Sequence, residues 1–544
     1  MKSIRDSIRK VNGSIKVLLF YLFTFLPLHA QDSLLLRDYT FLKQADPWLT
    51  SSNAAALTRF AHQSMAEASL SLNGGKGGFT NYYESPEALQ FDGHVESYYR
   101  FNPRTVFFGS LSYQNFSGHD MAGSAFIQPE RRPFDIVEDS LTNLGTKHRD
   151  TYRLTGGFGS TVADGFAVGM KIDYTAANYA KYKDLRHQNK LMDLQLSAGI
   201  TYNVTDGFTI GANYLYHRNT ESITFGTYGT SDKVYKTLVA YANFTGHVEQ
   251  FGQEGYTDKS REMPLVTDYN GLGAQASFIT HHLSLFTSYT YEHGRGYYGR
   301  KSPYTITYTN HHSDRHALDV RLDHTLSATS SHRLDFTIGF EQLENLATTY
   351  RELQNASSAT YYEYYTPTKT ADKRWQDYHL GYTLFLGIRE ALPTWTLQAS
   401  MNWMDRRQTA YVYPYYRRQH IHQTAASVAV CRNIIATKAI WSLSLHGSFL
   451  QGSGAPYEDL TFQTPSDKQT VPPSMDAWLY REYQYLTAAQ YSIGGSVKYT
   501  FILPGIRLKP HARLAIDHRK ANETSPYSNG YRHTAVTATV GCEF

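Results

Sequence analysis

One stretch near the C-terminus carries basic residues at a spacing suited to handling anions. Between Ile506 and Arg519, the basic residues Arg507, Lys509, His511, Arg513 and Arg519 fall on one parity, interrupted by Asp517, and Lys498 precedes them on a neighbouring segment. In an extended chain, residues two apart share a face. The six therefore form one basic face, while Ile506, Leu508, Pro510, Ala512, Leu514 and Ile516 form the opposite, apolar one. A basic ladder lining a pore concentrates anions, as rings of Arg and Lys do in anion-selective channels. The plainer reading is charge pairing, with Asp319, Asp323, Asp335 and Glu341 balancing the ladder across a wet interior.

Histidine is abundant, with 23 in the chain, and several occur close together: His281-His282, His311-His312 and His420-Ile421-His422. Two His separated by one residue on a strand could grip one metal ion. No third ligand is identifiable from sequence, and a closed site takes four, so no metal site and no cofactor are assigned. Catalysis needs a His aligned with a nucleophile and a second polar group. Gly118-His119-Asp120 and Asp314-Arg315-His316 offer adjacency only, which 23 His produce by chance, and no catalytic residue is assigned. Tyr361, Tyr362, Tyr364, Tyr365, Tyr411, Tyr413, Tyr415 and Tyr416 are dense enough to bind sugars, peptides or a protein partner. Anchoring at a membrane interface accounts for them equally well.

The elements that must position these groups read as strands. From about residue 64 the hydrophobic period is two. Phe166, Val168, Met170, Ile172 and Tyr174 alternate with Ala167, Gly169, Lys171, Asp173 and Thr175, and Trp395, Leu397, Ala399, Met401 and Trp403 alternate with Thr396, Gln398 and Ser400. Short connections recur at Asn102-Pro103, residues 163–165, 205–207, 281–282, 327–332, 389–393, 432–437 and Pro504-Gly505. Long polar segments lie between them at about 73–89, 115–147, 177–188, 219–268, 293–311, 346–374, 406–419, 453–484 and 519–530. Short turns alternating with long loops mark a transmembrane antiparallel β-barrel, with the turns periplasmic and the loops extracellular. Eight short turns join sixteen strands, and a first (about 64–72) and last (531–544) make about 18, with 16 as the alternative count. The fold class is all-β.

Both ends agree with export to an outer membrane. Lys2, Arg5, Arg9, Lys10 and Lys16 precede the apolar run Val17–Leu26 and the ending Leu28-His29-Ala30, the order of a signal peptide over residues 1–30. Residues 31–63 form an N-terminal periplasmic or lumenal segment, and 64–544 the barrel. Tyr531–Phe544 is an amphipathic strand with Val536, Val540 and the terminal Phe544 on one face. It resembles the strand that outer-membrane barrels present to the barrel-assembly machinery, which makes Phe544 the assembly signal. The composition fits a wet-lumened barrel and not a soluble enzyme: 44 Tyr, 39 Gly, 2 Cys and a mean hydropathy of −0.46. Net charge of +4 implies no nucleic-acid partner. Cys431 and Cys542 fall on opposite faces of strands four apart, too far for a disulfide, and are expected to be free thiols.

Asn53-Ala54-Ala55-Ala56-Leu57 resembles, in degenerate form, the Asn-Pro-Ala-Gly-Leu element before the first strand of fatty-acid-transporter-like barrels. By its size, this element and its terminal strand, the chain also resembles an uncharacterised group of outer-membrane barrels that sit beside TonB-dependent uptake systems. That resemblance implies a TonB-dependent transporter or surface lipoprotein as a partner, besides outer-membrane lipid and lipopolysaccharide. The leading functional expectation is transport across the outer membrane of a Gram-negative bacterium, as a channel or an accessory of a larger uptake complex. A non-conducting scaffold or surface-binding barrel is the first alternative, and an outer-membrane hydrolase the second.

Overall fold

The computed structural model describes residues 36–138, 143–228, 233–243, 245–251, 263–503, 508–522, 527 and 530–544. The signal-peptide segment 1–30, the start of the 31–63 segment, the Pro504-Gly505 turn and Arg507 lie outside the described residues.

Alternating side chains leave a strand with one apolar face, and backbone polarity in lipid is satisfied only when the sheet closes on itself. That is the architecture found. Eighteen antiparallel strands, each paired with its neighbours in the chain, form one closed barrel. The first strand, Ser64–Lys76, zips to the last, Arg532–Glu543, in register from Glu67↔Glu543 to Lys76↔Thr534. Phe544 extends this seam. Its N–H donates to the Ala66 carbonyl at 2.9 Å, and its carbonyl accepts from the Ala66 N–H at 3.4 Å.

The faces sort as the period requires. Met170 and Ile172 are 56% and 45% exposed on the outside, whereas Ala167 on the other parity is 5% exposed. The burial is inverted relative to a soluble protein. Leu397, Met401, Val428, Leu445, Leu514 and Val540 are exposed to the surroundings, and Ser197, Asn213, Gln275, Glu341 and Arg406 are buried. Such an apolar outer band and polar interior suit a bilayer around the barrel and water within it.

The loops differ from expectation. Strand pairing runs well beyond the apolar band, so several long segments are ladders. Residues 406–419 are a hairpin, with Trp395–Val412 and Tyr415–Ala436 joined at Tyr413-Pro414. Residues 177–188 shrink to a turn between Phe166–Lys181 and Arg186–Thr205. The apolar alternation stops at the membrane edge, but backbone hydrogen bonds continue into water, where both faces can be polar. Two smaller sheets stand apart from the barrel: Asp135–Glu138 with Tyr235–Ala242 and Thr245–Phe251, and the hairpin Tyr350–Gln354 with Thr360–Tyr364.

Cys431 and Cys542 are free. They lie on the fourteenth and eighteenth barrel strands, and Cys542 shares parity with the exposed Val536 and Val540.

Candidate functional site

The lumen is occupied at both ends, and its site is the space left between. At the periplasmic end, residues 36–63 run across the inside wall. Asp38 caps the helix Tyr39–Ala45, Asp46 the turn Pro47–Thr50 and Asn53 the turn Ala54–Arg59, each side-chain oxygen taking a backbone N–H that the short helix leaves unpaired. Leu36 and Ala391 pair backbone to backbone, tying the segment to a periplasmic turn.

The wall offers this segment a seat made of glycine. Gly159, Gly169 and Gly199 lie side by side on three successive strands, in direct register. A Cβ on Gly169 would stand 2.4 Å from the Ala54 carbonyl carbon, and one on Gly199 2.1 Å from Asn53 Oδ1. Asn53 Nδ2 donates to the Ile200 carbonyl (2.9 Å), the Ala212 carbonyl (3.3 Å) and Gln275 Oε1 (3.0 Å). Trp48 Nε1 donates to Ser277 Oγ at 2.9 Å, with its ring edge-on to Phe286. Across the lumen, the Tyr39 hydroxyl and Lys43 both donate to Glu96 at 2.7 Å. The Asn53–Leu57 element is thus an inner-wall contact with Ala55 and Ala56 wholly buried.

At the extracellular end, residues 122–138 fold into the mouth. Ala125, Phe126, Phe134 and Ile136 build an apolar cluster with Ile223, Leu265 and Tyr298 of the wall. Arg131 ties this loop to Glu341 and Asp377, and Arg132 ties it to Glu221. Glu138 is buried between Lys147 and Lys181. The helix Asp476–Thr487 braces the loop from the side. Trp478 Nε1 donates to the Glu138 carbonyl at 3.0 Å, and Glu482 takes both guanidinium nitrogens of buried Arg406 at 2.8 and 2.9 Å. Burial pushes the Asp135 carboxyl up, against the opposing pull of hydrogen bonds from Ser124 and Tyr82.

Beneath the inner face of this cap lies a cavity of about 1050 Å³. Its charged lining is cationic on balance: Arg131, Arg132, Arg149, Arg315 and Arg519 against Glu84, Glu130 and Asp517. Arg131, Arg132 and Arg315 are committed to carboxylates of the wall. Arg149 and Arg519 are in no ion pair among the described residues. Arg149 donates to Gln114 Oε1 at 2.9 Å, its Nε is buried without a partner, and Arg519 donates to the Tyr485 hydroxyl at 2.6 Å. Two such guanidiniums can take an anion by charge-assisted hydrogen bonds.

The basic face of the sequence reading is divided by depth. Lys498 and Arg513 are in direct register, as parity requires. Among the described residues of this face, Arg519 alone reaches the cavity. Lys498 pairs with buried Glu543 at 2.8 Å near the periplasmic end, where Lys509 and His511 are also buried, and Arg513 is exposed in the lumen between. The acids expected to balance this face across the lumen do not. Arg333 takes Asp323, Arg321 takes Asp335, Arg315 takes Glu341, and Asp319 accepts from Thr337, because a neighbouring strand offers a closer partner than the far wall.

Parity also separates the catalytic candidates. Asp314 and His316 lie on the outer parity with Leu318, whereas Arg315 points inward to Glu341. His119 bonds Thr146, and Asp120 is a positive-φ residue beside it. His311 is buried inward and donates to or accepts from Thr267, with His312 on the opposite face. His420 and His422 share the outer face, beside Asp405. Among the tyrosines, Tyr411, Tyr413 and Tyr416 gather around Phe462, and Tyr361, Tyr362 and Tyr364 sit on the small hairpin with Tyr350. Arg149 and the glycine seat carried no sequence signal, since each depends on partners many residues away.

No curated protein matches the chain. Among solved structures it is similar to the outer membrane transporter YddB from Escherichia coli, at 7% identity and a TM-score of 0.40, over 88% of this chain and 81% of that one. It is also similar to the alcaligin outer membrane receptor FauA from Bordetella pertussis (9% identity, TM-score 0.39, 88% and 76% covered). A third is the RagAB peptide transporter (7% identity, TM-score 0.40, 89% and 87% covered). Likenesses of this size assign no function. A family model matches residues 54–544, and the chain belongs to that family, the family of unknown function DUF6850.

Proposed function

We propose that this protein is an outer-membrane barrel that admits small anionic solutes into a gated lumen and passes them across the outer membrane. The observation that carries this reading is the cavity under the extracellular cap, where Arg149 and Arg519 line the space in no ion pair among the described residues and arginines outnumber the acids Glu84, Glu130 and Asp517. A cavity whose lining carries an excess of guanidiniums favours an incoming anion. Below it, the lumen parity of the strands Gln490–Phe501 and Arg532–Glu543 carries Ser496, Thr537 and Thr539, small groups that leave room along the wall. Arg513 lies exposed on the strand between them.

A second reading, a non-conducting scaffold, is favoured by the closure of both ends: the seated segment 36–63 below and the braced loop 122–138 above. It would present its extracellular rim, where Tyr413 and Phe462 are 65% and 56% exposed, to a partner such as a TonB-dependent transporter or a surface lipoprotein. Planar-bilayer recording separates the two. The conduit reading expects stepwise currents, larger when residues 36–62 are deleted. It also expects a reversal potential in a salt gradient that moves toward cations when Arg149 and Arg519 are both changed to Gln. Silence from both the full chain and the deletion would leave the scaffold.

A further inference from the structure

On the outer surface, where the apolar band gives way to polar residues, three potential metal ligands converge. Strand parity puts Asp405 on the same face as Met401 and Trp403, and His420 and His422 on the same face as Thr424, Ala426 and Val428. The two strands pair with Asp405 directly opposite His422 and Arg407 opposite His420. One ligand atom from each of Asp405, His420 and His422 lies within 4.8 Å of the others. Asp405 Oδ2 accepts from His420 Nε2 at 2.7 Å and from His422 Nδ1 at 2.8 Å, and the imidazole rings are 4.0 Å apart. One carboxylate oxygen shared by two imidazoles is the arrangement in which a cation can replace the bridging protons.

We propose that Asp405, His420 and His422 form a binding site for one divalent transition-metal ion of the Zn²⁺ class. Two imidazoles select Zn, Co, Ni or Cu over the oxygen-seeking Ca²⁺ and Mg²⁺. Three protein ligands on a flat sheet leave a fourth position open, as in zinc sites that keep a water or exogenous ligand. The position opens outward, one residue pair beyond Trp403 and Tyr378, aromatic side chains of the kind that gather at membrane interfaces. Arg407 is the competitor already in place. Its Nε lies 3.1 Å from Asp405 Oδ1 and 3.2 Å from His420 Nε2, on a side chain 63% exposed and free to turn into water. A bound ion must displace that guanidinium, so the site is held in a low-affinity state by its own neighbour.

The test is a Co²⁺ titration of the chelator-stripped barrel in detergent, read by visible absorption, with heat-modifiable migration reporting that each variant is folded. One saturable equivalent is expected in the wild type. Asp405→Asn with His422→Gln should weaken it by about tenfold or more, the scale on which metal sites respond even to lost supporting contacts. Arg407→Ala should tighten it, an effect that general histidine binding elsewhere on the chain does not produce. Competition by Zn²⁺ should bleach the signal. A wild type with no saturable equivalent overturns the proposal, as does a double variant that titrates like wild type. So does an Arg407→Ala protein whose affinity is unchanged or lower.

Discussion

Replacing Gly169 by Val should unseat the N-terminal segment and leave the barrel intact. Val suits a strand, and the Gly169 backbone needs no positive φ, so the wall tolerates the change. The new Cβ would meet the Ala54 carbonyl carbon at 2.4 Å and the Ala55 nitrogen at 2.5 Å. Both are backbone atoms and cannot turn aside, so the 54–59 turn must lift. Lifting it breaks the bonds of the Asn53 amide, whose two hydrogens are shared among the Ile200 and Ala212 carbonyls and Gln275 Oε1. At about 1 kcal/mol net for each hydrogen, the loss is about 2 kcal/mol, or about a thirtyfold shift from docked to undocked. The assay is maleimide labelling of Leu57→Cys, a position 6% exposed, in a chain whose Cys431 and Cys542 are changed to Ser. The cysteine should react slowly in the parent and about thirtyfold faster with Gly169→Val. Unchanged labelling in a folded, heat-modifiable barrel would refute the seat.

Ala399→Arg should cost about 2–4 kcal/mol in vesicle refolding because it places a charge in hydrocarbon midway between the outward-facing Trp395 and Trp403, whereas Gln398→Arg, on the lumen face, should be mild; equal damage at both would break the register. Deleting Phe544 should lower the folded band in outer-membrane fractions while export persists, since the closing seam loses its last two backbone bonds. Glu482→Ala leaves the buried Arg406 guanidinium unpaired, a loss of about 3–5 kcal/mol, and should show as protease cleavage in the helix Asp476–Thr487 while the barrel core resists. Alkylation of the denatured, unreduced protein should modify both Cys431 and Cys542 by mass, and a crosslink between them would contradict a sheet that sets them four strands apart.

Strand number, most of the short turns among the described residues and the facing of each side chain were legible in the chain, because they follow from local rules; the 432–437 turn instead sits at 437–438, just past the strand Tyr415–Ala436. Each strand residue chooses between lipid and lumen according to its own polarity, and a two-residue period records the choice. That is why the parity of Leu397 and Gln398, or of Cys431 and Cys542, could be assigned with no knowledge of neighbours. The extracellular strand extensions escaped this reading because above the membrane no solvent contrast imprints the alternation, while the hydrogen-bonded ladder persists. The interior was decided only by closure of the sheet. Gly159, Gly169 and Gly199 are unremarkable until pairing sets them side by side beneath Asn53. Lys498 and Glu543 become partners across two strand neighbours, and Asp405 joins His420 and His422 through register alone. Which cations are neutralised, and which, like Arg149 and Arg519, are in no ion pair among the described residues, depends on distances around the barrel. Those distances arise from the sum of all eighteen registers, a quantity that no single segment of the sequence contains.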